Sequence, residues 1–247
     1  MKLLVCLSKV PDTTTKITFA EEGKRFDENG VTFILNPYDE WYALVRALEL
    51  KEAHGGTVTV IHVGPSANDA VIRKGLAIGA DDAVRIDATQ SSSLFIAKQI
   101  SAFVEAEKGY DIIFTGKETI NYNRSEVGAM IAEYLDQPFI SFANHLEING
   151  STATLDREID GGTEVVEVET PFVVSAAKGM AEQRIPNMKG IMMANKKPIK
   201  VVPPVPFDEI AVPVFYELPP AKSGVKLIDA DNIEELVRLL HEEAKVI

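Results

Sequence analysis

The 247-residue chain carries a formal net charge of -12, with 46% hydrophobic and 25% charged residues. That balance is ordinary for a soluble globular protein and argues against nucleic acid or an anionic membrane as the main partner. No run reaches the length of a membrane span, the start Met1-Lys2-Leu3-Leu4-Val5-Cys6 is too soon interrupted for a signal peptide, and the single cysteine, Cys6, excludes an internal disulfide or a multi-cysteine metal site.

A cytoplasmic chain without membrane insertion is therefore expected, and no metal, since His54, His62, His145 and His241 show no ligand spacing. Short apolar runs at residues 3–7, 57–63, 83–86 and 111–115 read as buried strands. Between the first two, Asn36 is a candidate N-cap, Pro37 takes the first helical position, and Asp39-Glu40 complement the helix dipole. Trp41, Leu44, Val45 and Leu48 then recur at helical spacing until Gly55-Gly56. Residues 68–78, 92–107 and 124–135 fit further helices. This alternation implies a parallel sheet covered on both faces.

After Gln137 the pattern changes. Residues 141–148, 153–159 and 164–169 alternate apolar and polar side chains, with Asn149-Gly150 and Asp160-Gly161-Gly162 as turns, and predict an antiparallel meander added to the sheet. Residues 172–176 resemble another buried strand. The stretch Arg184-Ile185-Pro186-Asn187-Met188-Lys189-Gly190-Ile191-Met192-Met193 mixes large apolar groups with breakers and cations. It resists assignment as a helix or a buried strand, and reads as a loop offered to another surface or tucked over its own core.

Prolines at positions 198, 203, 204, 206, 213, 219 and 220 predict an extended arm without regular ladders. The arm ends in a helix capped by Asp231, with Glu234 three residues on and Ile233, Leu236, Val237 and Leu240 in one stripe. Such a tail packs on another subunit or wraps back on its own domain. The expected division is a nucleotide-binding α/β domain over 1–197, containing a recognition loop at 181–193, and a C-terminal arm over 198–247. The fold class is α/β: an open, mainly parallel, Rossmann-like sheet with helices on both faces, an antiparallel extension, and an extended arm ending in a helix.

Two loops could line a crevice beyond the strands' carboxyl ends: Ser8-Lys9-Val10-Pro11-Asp12-Thr13 after the first strand, and residues 116–128 after the fourth. Gly116, Ser125 and Gly128 permit close backbone approach, and the following helix offers free N–H groups to a phosphate. By themselves these features are equally those of ordinary strand–helix loops. The chain has no G-x-G-x-x-G after the first strand, no G-x-x-x-x-G-K-[ST] and no G-x-S-x-G. Glu158 and Asp160 beside Arg157 read as a charged strand end rather than an acid/base pair.

Five stretches in order carry a family resemblance: Val5-Cys6-Leu7-Ser8-Lys9-Val10-Pro11-Asp12, Asn36-Pro37-Tyr38-Asp39-Glu40, Leu76-Ala77-Ile78-Gly79-Ala80-Asp81, Arg157-Glu158-Ile159-Asp160-Gly161-Gly162 and Arg184-Ile185-Pro186-Asn187-Met188. Along nearly its full length the chain resembles the β subunit of electron transfer flavoproteins. The resemblance implies an electron carrier, not an enzyme. It implies a heterodimer with an α subunit that holds most of a redox-active FAD, while the β subunit holds AMP structurally. Electrons would arrive from acyl-CoA and other flavin dehydrogenases, as in fatty acid β-oxidation, and leave to a membrane quinone oxidoreductase.

Carried over residue by residue, the AMP pocket would use Cys6, Asn36, Pro37, Tyr38, Asp39, Val63 and the run Ile120-Asn121-Tyr122-Asn123-Arg124-Ser125-Glu126-Val127-Gly128-Ala129-Met130-Ile131. Ile185, with Pro186, Asn187 and Met188, would dock the dehydrogenases. Asn121 to Gly128 stand where AMP-type members carry an Asp-rich run with a Gln, and Thr13 stands where some relatives place an aromatic near the flavin. Electron-bifurcating relatives hold a second FAD in this pocket. That reading, and a stand-alone adenine-nucleotide sensor, stay open beside AMP.

Overall fold

The computed structural model describes residues 1–89, 92–222 and 224–247. In chain order the strands are β1 (Lys2–Cys6), β2 (Lys9–Pro11), β3 (Phe19–Ala20), β4 (Arg25–Phe26), β5 (Phe33–Leu35), β6 (Thr57–Val63), β7 (Asp82–Ile86), β8 (Ile112–Gly116), β9 (Phe139–Asn149), β10 (Thr152–Ile159), β11 (Gly162–Glu169), β12 (Phe172–Ala176) and β13 (Lys200–Val202). The α-helices are α1 (Asp39–His54), α2 (Asp69–Ile78), α3 (Ser93–Glu107), α4 (Val127–Leu135), α5 (Met188–Lys196) and α6 (Ile233–Leu239).

Successive strand residues point to opposite faces, and in β1 both faces are apolar. Leu3 and Val5 enter one core with Leu44, Leu48, Ile72 and Leu76; Leu4 and Cys6 enter another with Ile100, Phe103 and Ile131. Helices α1 and α2 therefore cover one face, and α3 and α4 the other. Leu44 and Leu48 are at most 2% exposed, and each such side chain contributes about 2 kcal/mol by burial. Helix α1 stops at Gly55, whose φ of 73° needs no Cβ. Helix α3 starts on Ser92, whose hydroxyl accepts from Phe95 N at 3.0 Å.

Nine strands form one sheet in the order β11-β10-β9-β12-β8-β1-β6-β7-β13. From β9 to β13 every pairing is parallel, and β9-β10-β11 is the expected antiparallel meander. The α/β class with its antiparallel extension is thus observed. Among the described residues no helix is long and apolar enough to cross a membrane.

Several local expectations are corrected. Asn36 is not the cap of α1: Tyr38 holds that position, and the Asn36 amide instead donates to the Glu118 carbonyl at 2.9 Å. Pro37 accordingly lies before the helix. Helix α4 begins at Val127, because Thr119 and Arg124 pair across a turn that holds Tyr122 and Asn123 at positive φ. Most of the supposed loop 184–193 is helical. Its breakers do not break α5: Pro186 precedes the Asn187 cap, and Gly190 seats against the Ala77 carbonyl, only 2.6 Å from where a Cβ would lie.

The proline-rich arm does form a ladder at its start, where β13 adds to β7 between the prolines. Beyond it, the Gln99 amide brackets Val205 at both its N–H (2.7 Å) and its carbonyl (3.0 Å), and Phe207 meets Phe95 edge-on at 5.9 Å. The terminal helix is capped by Asn232, not Asp231, through Glu235 N at 3.3 Å.

The chain divides into two units: Met1–Ile17 with Asp27–Val214, which holds the large sheet, and Thr18–Phe26 with Phe215–Ile247. In the second unit, Tyr216 N donates to Gly23 O at 2.7 Å and Phe19 stacks on Tyr216 at 5.5 Å. There Ile233, Leu236 and Val237 are exposed, and Leu239 is buried.

Candidate functional site

The winding of the sheet reverses at β1. From β1 the chain proceeds to β6 and β7 on one side, then returns to place β8 and β12 on the other. The carboxyl ends of β1 and β8 are therefore the edge at which an open sheet of this kind can take a ligand. Register pairs Val5 with Phe114, and Cys6 with Ile61, so the ends of β1, β6 and β8 share one edge.

The start of α1 ties the two loops together. Glu40 accepts from Ser8 N at 2.6 Å and from Ser8 Oγ at 2.5 Å, and Ser8 Oγ meets Thr119 Oγ1 at 2.8 Å. Asp39 accepts from Glu118 N at 3.1 Å. Gly116 permits this approach, since a Cβ there would lie 2.9 Å from Glu40 Cγ. Burial pushes the Glu40 carboxyl up to about 7, against the lowering hydrogen bonds from Ser8. Burial also raises Asp39, opposed by the bond from Glu118. On the other side of β1, buried His62 meets the Leu7 carbonyl through Nδ1 at 2.8 Å, so Nδ1 carries the proton and Nε2 accepts from the Asn68 amide at 2.9 Å. Burial lowers the His62 pKa, consistent with a neutral ring.

The residues expected to line a nucleotide pocket divide into interior and mouth. Cys6 and Val63 point into the core, so only their backbones face the edge; burial pushes the Cys6 thiol well above its ordinary range. Ile131 is fully buried and Met130 packs on the same core. Asn36 and Asp39 are buried, Pro37 is half-buried and Tyr38 is exposed. Tyr122, Asn123, Ser125, Glu126 and Ala129 are exposed, whereas Ile120, Asn121, Arg124 and Val127 are partly covered. The Arg124 guanidinium lies 5.3 Å from the Tyr122 ring.

Two features have the chemistry to receive a ligand. The first-turn N–H groups of α4 have no side-chain cap from Glu126, which leaves donors for an anion. The Asn36 Oδ1 atom is buried and meets no donor among the described residues. Gly128 has a packing role: a Cβ there would stand 2.6 Å from Thr115 Oγ1 and 2.9 Å from the Phe139 ring. Gly128→Val should therefore lower unfolding stability by about 2 kcal/mol through overpacking, read as a shift in denaturant midpoint. An unchanged midpoint would show that α4 moves aside freely.

A second surface lies on α1 and α2. Ile185 is 84% exposed and Met188 73%. Around them the segment is fastened. Trp41 Nε1 donates to Arg184 O at 3.2 Å, the Arg184 guanidinium grips both Glu52 oxygens at 2.6 and 3.1 Å, and the Gln183 amide donates to Pro37 O. The hydrogen bonds from Arg184 hold the Glu52 carboxyl below its usual range. Beyond Ile185, Asn187 caps α5, and Arg73 donates to the carbonyls of Ala194 (2.8 Å) and Lys197 (3.3 Å) at its end. Pro186 is half-buried and Asn187 exposed.

Sequence reasoning missed the Glu40 tie and the Trp41–Glu52 clamp. A carboxylate in a first helical turn reads as a dipole complement. Nothing in the pattern shows that Glu40 is buried and bridging. Trp41 and Glu52 stand eleven residues apart, about three turns, so a shared face was readable, but the distant Arg184 was not.

Comparison with known proteins gives one coherent picture. The electron transfer flavoprotein domain model matches residues 24–206. The chain is 36% identical over 260 residues to the electron transfer flavoprotein subunit beta of Bacillus subtilis, covering 100% of each chain. It is 32% identical over 259 residues to the mitochondrial subunit beta of Arabidopsis thaliana, again covering 100% of both. It is 29% identical over 266 residues to the acryloyl-CoA reductase electron transfer subunit gamma of Anaerotignum propionicum, covering 98% of this chain and 99% of that one.

Proposed function

The chain belongs to the electron transfer flavoprotein family, on the β-subunit side, and from that premise we propose that it is the nucleotide-holding and dehydrogenase-docking half of a heterodimeric electron carrier. Its role is in electron transfer. The partner is an α-type subunit that holds most of an FAD, and that flavin, when bound, supplies the redox centre. This chain breaks no substrate bond. It receives electrons from acyl-CoA and other flavin dehydrogenases and passes them, through the heterodimer, to a membrane quinone oxidoreductase.

AMP would sit at the carboxyl ends of β1 and β8. The uncapped start of α4 suits its phosphate, with Arg124 alongside, and the unpartnered Asn36 Oδ1 suits an N–H or O–H donor of the nucleoside. Ser8, Glu40 and Thr119 tie the two flanking loops to each other beside it. Ile185 and Met188 form the docking tip, and their exposure on a fastened segment is the observation that carries the reading.

Acid extraction of the heterodimer, purified with its α subunit, tests the assignment. One FAD and one AMP per complex are expected. Two flavins would replace the structural nucleotide with a second redox cofactor, as in bifurcating relatives. No flavin and no partner would leave a stand-alone nucleotide sensor and overturn the carrier.

A further inference from the structure

We infer that Trp41 and Glu52 are positioning residues that hold Ile185 outward in the conformation in which it docks. The inference rests on the docking reading above and assigns that tip a built-in rigidity. Ile185 is 84% exposed, so no packing of its own fixes its direction. Its direction is set by its neighbours. On the N-terminal side, Trp41 holds the Arg184 carbonyl at 3.2 Å and Glu52 holds both ends of the guanidinium. On the C-terminal side, Pro186 restricts its own φ, Asn187 caps α5, and α5 is seated by Gly190 on α2. The residue that reaches outward is thus clamped immediately before and immediately after.

The Arg184–Glu52 pair is largely exposed, with side-chain accessibilities of 38% and 57%. Pairs of that kind add little to overall stability. Their geometric effect is larger, because a bidentate carboxylate–guanidinium fork fixes orientation as well as distance. A docking side chain already held in its bound conformation avoids an ordering cost on association, and losing the clamp restores that cost. The effect should therefore fall on encounter with the dehydrogenase, not on folding or on the transfer step.

The test uses the intact heterodimer and an acyl-CoA dehydrogenase. In the double variant Trp41→Phe/Glu52→Gln, the KM for the carrier should rise about tenfold while kcat and flavin content stay at wild-type values, the thermal midpoint falling only by what Trp41 loses in packing on the core. Amide exchange at Arg184, Ile185 and Asn187 should accelerate in step. Exchanging the charges, Glu52→Arg with Arg184→Glu, should recover most of the KM. If the double variant keeps the wild-type KM while Ile185→Ala raises it, the clamp is dispensable and the inference falls, with docking intact. If Ile185→Ala also leaves KM unchanged, the docking reading itself falls, and the inference with it.

Discussion

Replacing Ile185 with alanine is expected to lower kcat/KM for electron transfer from a docking dehydrogenase about thirtyfold, corresponding to roughly 2 kcal/mol. The side chain is 84% exposed and touches no core, so its truncation leaves a fold with an unchanged unfolding midpoint. In the docked complex the same side chain would be buried in an apolar pocket, and truncation removes most of its buried area. Reduction of the carrier by a small chemical reductant needs no docking and should proceed at the wild-type rate in the variant. That contrast separates loss of docking from damage to the flavin. Met188, 73% exposed and three residues on, should show a smaller effect of the same kind, because an adaptable thioether flanks the tip. Equal kcat/KM in Ile185→Ala and wild type would mean that dehydrogenases approach elsewhere.

The parallel core was legible because its determinants are local. Continuous apolar runs such as Ile112–Gly116 and Phe172–Ala176 have no solvent face to offer, and Gly55 can end a helix only where a positive φ is wanted. Asn149-Gly150 and Asp160-Gly161-Gly162 announced the meander in the same way. What escaped depends on contacts far apart in sequence. Gly190 reads as a helix breaker until the Ala77 carbonyl beneath it is known, and then it reads as the only residue that fits. The strand Lys200–Val202 sits amid prolines that forbid a continuous ladder, yet three residues without proline suffice to pair with β7. At the carboxyl ends of β1 and β8, the sequence pattern marked the two loops but not the carboxylates that join them.

Glu40 provides the pH dependence. Its carboxyl is buried at the joint between both loops, with a pKa pushed up to about 7 from 4.5. In the unfolded chain the same group titrates in the ordinary glutamate range, so between about pH 4.5 and 7 the folded state retains a proton that the unfolded state releases. Stability should therefore fall as pH rises through that window, by up to about 3 kcal/mol, and level off above the folded pKa. Groups with depressed pKa values, such as the Glu52 carboxyl, act in the opposite sense at lower pH, where they are lost on acidification. In Glu40→Gln the group cannot ionise, and the decline between pH 5 and 7 should shrink to what Asp39, also raised by burial, contributes. Its amide oxygen still accepts from Ser8 N, which holds the loop after β1 in place. Denaturant midpoints of wild type and variant at pH 5, 6, 7 and 8 give the comparison directly. Parallel profiles for the two proteins would show that Glu40 reaches water, and that the joint between the loops is wetter than its burial implies.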